Sequence, residues 1–151
     1  MSRTNWLDRC VLAHPPLTLC LTEKAYLQAF KASYAGKDDP PPWVGPDVDG
    51  TTHTVFKGDE PMACIVCMKM DGGETLSQVM ELLAHEAQHV VQKTQAQFPE
   101  LPMHHPEMEC RILDHVVLRL IESFLDQTGR VDRLPPRKPR ERAPTGLQLS
   151  G

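Results

Sequence analysis

The sequence predicts an α+β fold, in which a small, mostly antiparallel sheet packs on helices and one long helix is central. A chain of 151 residues has room for one hydrophobic core rather than two. Two long segments after residue 70 repeat apolar residues at helical spacing, and short β-forming segments precede them. The sequence contains no run of 18 apolar residues and no apolar leader segment, so we expect neither a membrane-spanning helix nor a secretory signal.

The first predicted elements are a strand and a helix. Residues 17–21 form a short apolar run that is typical of a buried strand. Thr22 can cap a helix over residues 23–34, which Gly36 would end. Residues 37–50 contain four prolines, two glycines and four aspartates, and this composition indicates a loop.

A β-hairpin is predicted next. Residues 51–56 and 62–68 are rich in β-forming types, and the Gly-Asp pair at 58–59 supplies a turn between them. Cys64 and Cys67 lie three residues apart on the second strand, so their side chains must point to opposite faces of the sheet. We therefore interpret both cysteines as core residues rather than as a zinc or redox pair.

Two long helices complete the predicted domain. Thr75 and Gln78 form a capping box at the start of a helix that runs to about residue 97. A stiff loop with three prolines, at 99–106, separates it from a last helix over residues 107–128. Gly129 ends that helix.

The charge distribution divides the chain into a folded domain, residues 1–129, and a tail, residues 130–151. The whole chain carries 16 − 20 = −4, whereas the tail has six basic residues, two acidic residues and four prolines, hence +4. The domain therefore carries −8, which argues against nucleic-acid binding by the folded part. The tail has too few apolar groups to fold alone, so we expect it to be disordered and able to bind an acidic partner.

The pattern H-E-x-x-H occurs in the first long helix, as His85-Glu86-Ala87-Gln88-His89. Residues four apart lie above one another on one helix face, so both imidazoles can reach a single Zn²⁺ ion. Glu86 follows His85 around the helix and flanks the ion instead of binding it. A base at that place can take a proton from metal-bound water.

A catalytic zinc takes three protein ligands and keeps one position open. The favoured third ligand is Glu109, which follows His89 by 20 residues and lies on the first turn of the last predicted helix. The other candidates in this part of the sequence are Glu107, Asp114, His104, His105 and His115. Asp114 is also a candidate for orienting a ligand imidazole through a hydrogen bond.

The motif followed by Glu109 on a later helix resembles the gluzincin branch of zinc metallopeptidases. More narrowly, residues 17–125 resemble the small zincin-like proteins encoded by tailed phages and prophages. The segments that carry this resemblance are the strand 17–21 with Glu23-Lys24-Ala25-Tyr26, the hairpin 51–68, the motif segment 85–92 and Glu107-Met108-Glu109-Cys110-Arg111-Ile112.

The resemblance implies a minimal zincin-like domain that hydrolyses a peptide or amide bond of a peptide or protein substrate. It implies zinc ligation by His85, His89 and Glu109, with Glu86 as general base on zinc-bound water. It also implies that the substrate adds as a strand to an open sheet edge, which we place at residues 64–68.

The chain departs from that group directly after the ligand glutamate. An Ala-Tyr pair often follows there, whereas this chain has Cys110-Arg111. If the tyrosine polarises a carbonyl, efficient catalysis needs another hydrogen-bond donor to the oxyanion. His104 and His105 are the candidates.

A second hypothesis belongs to a different class, a non-catalytic, zinc-stabilised assembly or binding protein of a phage particle. A fourth protein ligand such as His104 or His105 would favour it, whereas the presence of Glu86 favours an enzyme, because a structural site needs no base. Five cysteines without a leader segment indicate reduced thiols, so we expect the protein in the cytoplasm of a bacterial host or in the virion.

Overall fold

The computed structural model describes residues 16–33, 39–58, 60–97 and 106–130. These residues form three strands and three helices, which confirms the α+β class. In chain order the elements are β1 (Leu17–Cys20), α1 (Glu23–Ser33), β2 (Gly50–Lys57), β3 (Glu60–Met68), α2 (Leu76–Gln97) and α3 (Pro106–Thr128).

The sheet is mixed, with the strand order β1-β3-β2. β2 and β3 form the predicted antiparallel hairpin, whereas β1 pairs with β3 in parallel. The open edge that we placed at residues 64–68 is therefore wrong, because β3 is the central strand and is paired on both sides. Its side chains from residue 63 to residue 68 are all buried, as expected for a strand covered on both faces. Within the described residues, the strands with one unpaired side are β1 and β2.

Helices cover both faces of the sheet. α2 and α3 pack together against one face and form the larger core, which includes Val66, Leu83 and Val116. α1 covers the other face, where the smaller core contains Tyr26 and Ile65. The two cysteines of β3 confirm the predicted divergence, since Cys64 belongs to the larger core and Cys67 to the smaller one.

The predicted ends of α2 and α3 are confirmed to within a residue. The Thr75 N–H donates to Gln78 Oε1 at 2.8 Å, and the Gln78 N–H donates to Thr75 Oγ1 at 3.3 Å, which is the reciprocal pair of a capping box. α3 begins at Pro106, one residue earlier than predicted, because proline suits the first helical position. Gly129 ends α3 with a positive φ of 64°.

Several predictions concern parts of the chain outside the described residues. His104 and His105 lie in the segment 98–105, and all of the basic tail except Arg130 lies in 131–151, so both remain predictions. Among the helices of the described residues, none is long and apolar enough to cross a membrane.

Candidate metal centre

The two motif histidines converge on one point beside α2. Their Nε2 atoms are 3.1 Å apart, with the rings perpendicular at 89° and the ring centroids 4.7 Å apart. In a tetrahedral site with zinc–nitrogen bonds of about 2.0–2.1 Å, two ligand nitrogens lie about 3.3 Å apart. The observed pair is thus close to the spacing that one zinc ion requires. His85 is exposed and His89 half-buried, so the position is open to solvent.

Gln92 provides a partner for the second nitrogen of His89. Its Oε1 lies 3.3 Å from His89 Nδ1. In the tautomer protonated at Nδ1, His89 donates to this amide oxygen and leaves the Nε2 lone pair for a metal ion. Gln92 thus holds the kind of orienting position for which the sequence suggested Asp114, which is exposed on α3.

Glu86 lies between α2 and β2 and is only 2% exposed. Its Oε2 accepts a hydrogen bond of 2.6 Å from the Thr52 hydroxyl, and its backbone carbonyl lies 3.3 Å from the same hydroxyl. Thr52 is itself buried on β2. A buried carboxylate requires such a partner, so the sheet holds the Glu86 carboxylate in a defined position next to the two imidazoles.

Two further residues shape this position, and sequence reasoning missed both. A Cβ at position 50 would lie 2.7 Å from Glu86 Oε1, so only glycine leaves room for the carboxylate there. Lys93, half-buried and seven residues after Glu86, donates from Nζ to the Thr52 backbone carbonyl. A glycine at the start of a strand and a lysine on the motif face of the helix are the signals that could have drawn attention to them.

His85, Glu86 and His89 are brought together as one candidate metal-binding group. One ligand atom from each lies within 4.8 Å of the other two, and in the described part of the chain no other three His, Cys, Asp or Glu residues meet this condition. The two imidazole nitrogens are ligands that suit Zn²⁺, and the Glu86 carboxylate lies beside them without being needed as a ligand. The two histidines therefore fit the expected ion, and a third ligand would come from another part of the chain.

The remaining predicted ligands lie on α3. Glu109 lies on the first turn of α3, as predicted, and its side chain is half-buried. It does not belong to the group formed by His85, Glu86 and His89. Ligation by Glu109 therefore stays a prediction. The competing Glu107 forms an exposed salt bridge of 3.1 Å with Arg111, one turn further along the helix. That pairing holds its carboxylate at the protein surface.

Two cavities include residues of the candidate site in their walls. One, of about 570 Å³, has His85 in its wall together with residues of the β3–α2 connection. The other, of about 490 Å³, is lined by Thr52, Lys93 and the outer part of β2. The first cavity thus reaches the candidate metal centre through His85, and the second reaches the partner of Glu86, Thr52.

His53, next to Thr52 on β2, points to the opposite side of the sheet from Glu86. Its Nε2 donates to the Trp43 carbonyl at 2.9 Å, and its ring packs 4.9 Å from that of Tyr26. Burial lowers the pKa of His53 below its ordinary value and outweighs the opposing effect of the Trp43 carbonyl. His53 is therefore neutral at pH 7. Its contacts are with Trp43 and Tyr26, on the face of the sheet that α1 covers.

Comparison of the chain with protein-family models, with curated proteins and with solved structures finds no match.

Proposed function

We propose that this protein is a zinc-dependent metallopeptidase that hydrolyses a peptide or amide bond, with a minimal zincin-like domain. The observation that carries the proposal is the convergence of His85 and His89 beside a buried, oriented Glu86. A structural zinc site needs only ligands, so a buried carboxylate that is oriented by Thr52 beside the two imidazoles supports the proposal of a base. The solvent-exposed side of His85 leaves a route for substrate.

Each residue of the site has a role in the proposed reaction. His85 and His89 hold the metal ion through Nε2, and Glu109 is the proposed third ligand. Zinc, when bound, supplies Lewis acidity and lowers the pKa of a water molecule. The Glu86 carboxylate would act as the base, accepting a proton from the attacking water and delivering it to the leaving amine. Thr52 keeps the carboxylate in place through the 2.6 Å hydrogen bond.

The substrate chain is proposed to lie along β2, the unpaired strand nearest the site. The Thr52 carbonyl accepts a hydrogen bond from Lys93, so it faces away from β3 and towards the open edge. An extended peptide that pairs with this edge would run past Thr52 and Lys93, which line the second cavity, and beyond the start of β2 towards Asp49, which lines the first. This placement replaces the edge that the sequence suggested on β3.

The decisive experiment compares wild type with Glu86→Gln. Both proteins are loaded with zinc, their metal content is measured, and both are incubated with a denatured-proteome peptide pool whose new termini are identified by mass spectrometry. We expect equal zinc content and cleavage by wild type alone, because the amide retains the size of the side chain but cannot accept the proton. Glu122→Gln, an exposed residue on α3, is the matched control and is expected to cleave as wild type does.

The same experiment tests the alternative, a non-catalytic, zinc-stabilised assembly or binding protein. Equal zinc content without cleavage by any of the three proteins would contradict the peptidase proposal and favour a binding role. Loss of zinc in Glu86→Gln would show instead that Glu86 is a metal ligand.

A further inference from the structure

The 570 Å³ cavity beside His85 has a wall of two distinct chemical kinds. Its lining includes the half-buried, apolar side chains of Met70 and Leu82. Carboxylates also line the cavity, and His85 belongs both to its wall and to the candidate metal centre. A site for a metal ion alone would not need the apolar surface, whereas an extended side chain with a charged end would use both parts.

The charge of the cavity wall is strongly negative. Four carboxylates oppose a single lysine, Lys69; the four are Asp49, Asp71, Glu74 and Glu81. Glu81 lies one turn before His85 on the same face of α2, and its carboxylate and that of Asp49 form no hydrogen bond or ion pair with any described residue. These two carboxylates are therefore available to a ligand.

The other two carboxylates are fixed by the connection between β3 and α2. Glu74 accepts hydrogen bonds from the backbone N–H groups of Asp71 and Gly72, at 2.6 Å and 3.0 Å, and Asp71 Oδ1 accepts one from Gly73 at 2.8 Å. These bonds lower the pKa of Glu74 below its ordinary value, the bond from Asp71 most strongly. The negative charge on this side of the cavity is thus built into the loop.

The second cavity lacks this bias. Its wall contains one carboxylate, Asp39, and one cation, Lys93, together with the aromatic rings of Phe30 and Phe56. The two sides of the candidate site therefore present different chemistry to a bound chain. Only the His85 side combines an apolar surface with an excess of negative charge.

We propose that the cavity beside His85 binds a lysine or arginine side chain of the peptide substrate. The methylene groups lie against Met70 and Leu82, and the cationic end meets Asp49 and Glu81. This inference rests on the proposed function, because the cavity lies next to the scissile bond only if the candidate metal centre cleaves peptides. It adds that the substrates are basic around the cleaved bond.

The first test uses cleavage by the zinc-loaded full chain. A positional-scanning peptide library is digested, and kcat/KM is then measured for a preferred lysine peptide and its norleucine and glutamate analogues. We expect a preference for lysine over norleucine of about tenfold, reduced by raising the NaCl concentration. The double variant Asp49→Asn/Glu81→Gln should lose the preference, and Asp126→Asn, an exposed carboxylate outside the cavity, should keep it.

The second test measures binding without cleavage. The peptide acetyl-Gly-Lys-Gly-amide and its norleucine analogue are titrated into zinc-loaded wild type and the double variant, with NMR of labelled methionine methyl groups as readout. Lysine-selective binding that disappears in the double variant supports the cavity assignment even if no peptide is cleaved, and in that case the proposed peptidase activity is wrong. Cleavage without lysine or arginine preference, or an unchanged preference in the double variant, overturns the cavity assignment and leaves the peptidase proposal standing. If neither cleavage nor lysine-selective binding is observed, the peptidase proposal and the cavity assignment are both contradicted.

Discussion

Glu86 occupies a position that glutamate rarely takes, because its carboxylate is almost completely buried. Three groups from outside the motif make this possible. Thr52 donates a hydrogen bond to the carboxylate, Gly50 leaves space for it, and Lys93 holds the Thr52 carbonyl from the other side. The motif histidines depend less on distant segments, since their helical spacing directs them to one point and the partner of His89, Gln92, lies on the same helix. Of the three motif residues His85, Glu86 and His89, only Glu86, the proposed base, is buried, so only its side chain loses nearly all contact with water.

Replacement of Thr52 by valine tests this dependence. The variant leaves the buried Glu86 carboxylate without its 2.6 Å hydrogen bond, so we expect the free energy of unfolding of the metal-free protein to fall by about 1–3 kcal/mol. Urea unfolding at pH 7 measures the change. Thr52→Ser retains the hydroxyl and should lose about 1 kcal/mol or less, through the missing methyl group. A valine variant as stable as wild type would show that the bond makes no net contribution.

Helix α2 combines a core face with the candidate metal centre. Val79, Leu83, Ala87 and Val90 are fully buried at helical spacing against the sheet and α3. The metal-binding face adjoins this stripe, so Glu86 reaches β2 while His85 faces solvent. Correct placement of the site therefore depends on where α2 begins and on how firmly it packs.

The capping box at the start of α2 is expected to make a measurable contribution. Thr75→Ala removes the side chain that bonds the Gln78 N–H, and should lower the free energy of unfolding by about 1 kcal/mol. The control is Ser77→Ala, two residues later, which removes an exposed hydroxyl that bonds no described residue. Urea unfolding of the two variants should show the loss in the first only. Equal stability of the two would contradict a capping role for Thr75.

At the scale of the whole molecule, the sheet connects the site to both cores. β3 is buried on each face and pairs with β2 through backbone hydrogen bonds. β2 in turn contacts Glu86 through the side chain of Thr52. The site is therefore assembled from α2 and β2, which are distant in sequence. An unfolded chain does not hold two imidazoles and the carboxylate in this arrangement, so a metal ion should bind the folded protein far better than the unfolded one.

Zinc should consequently stabilise the protein against heat. At a free concentration of 100 times Kd, binding to the native state alone contributes about 2.7 kcal/mol. For a chain of this size we expect an increase in Tm of about 5–10 °C. Differential scanning calorimetry with zinc, with magnesium and with a chelator measures it, magnesium serving as a control because it prefers oxygen ligands. His89→Ala should abolish the zinc effect, and an effect that survives this substitution would place the binding elsewhere.

Much of the fold was predictable because its signals are local. The hairpin, the capping box of α2 and the glycine end of α3 each depend on residues that are neighbours in sequence. The order of the strands was not predictable from the sequence. A short apolar run such as Leu17–Cys20 does not reveal which strand it pairs with or in which direction. The incorrect edge assignment for β3 followed from this, because nothing in the run itself shows that β1 pairs beside it.

The same division holds for the site. The sequence by itself determined that His85 and His89 share one face of a helix with Glu86 next to them, because a helix repeats every 3.6 residues wherever it lies. Only the tertiary structure decided that Glu86 is buried against Thr52 and Gly50, that β2 is the strand at the site, and that an acidic cavity adjoins His85. The first two features arise from contacts between segments more than 30 residues apart, and the cavity forms where the β3–α2 connection meets α2 and Asp49. All of them depend on how α2 packs on the sheet.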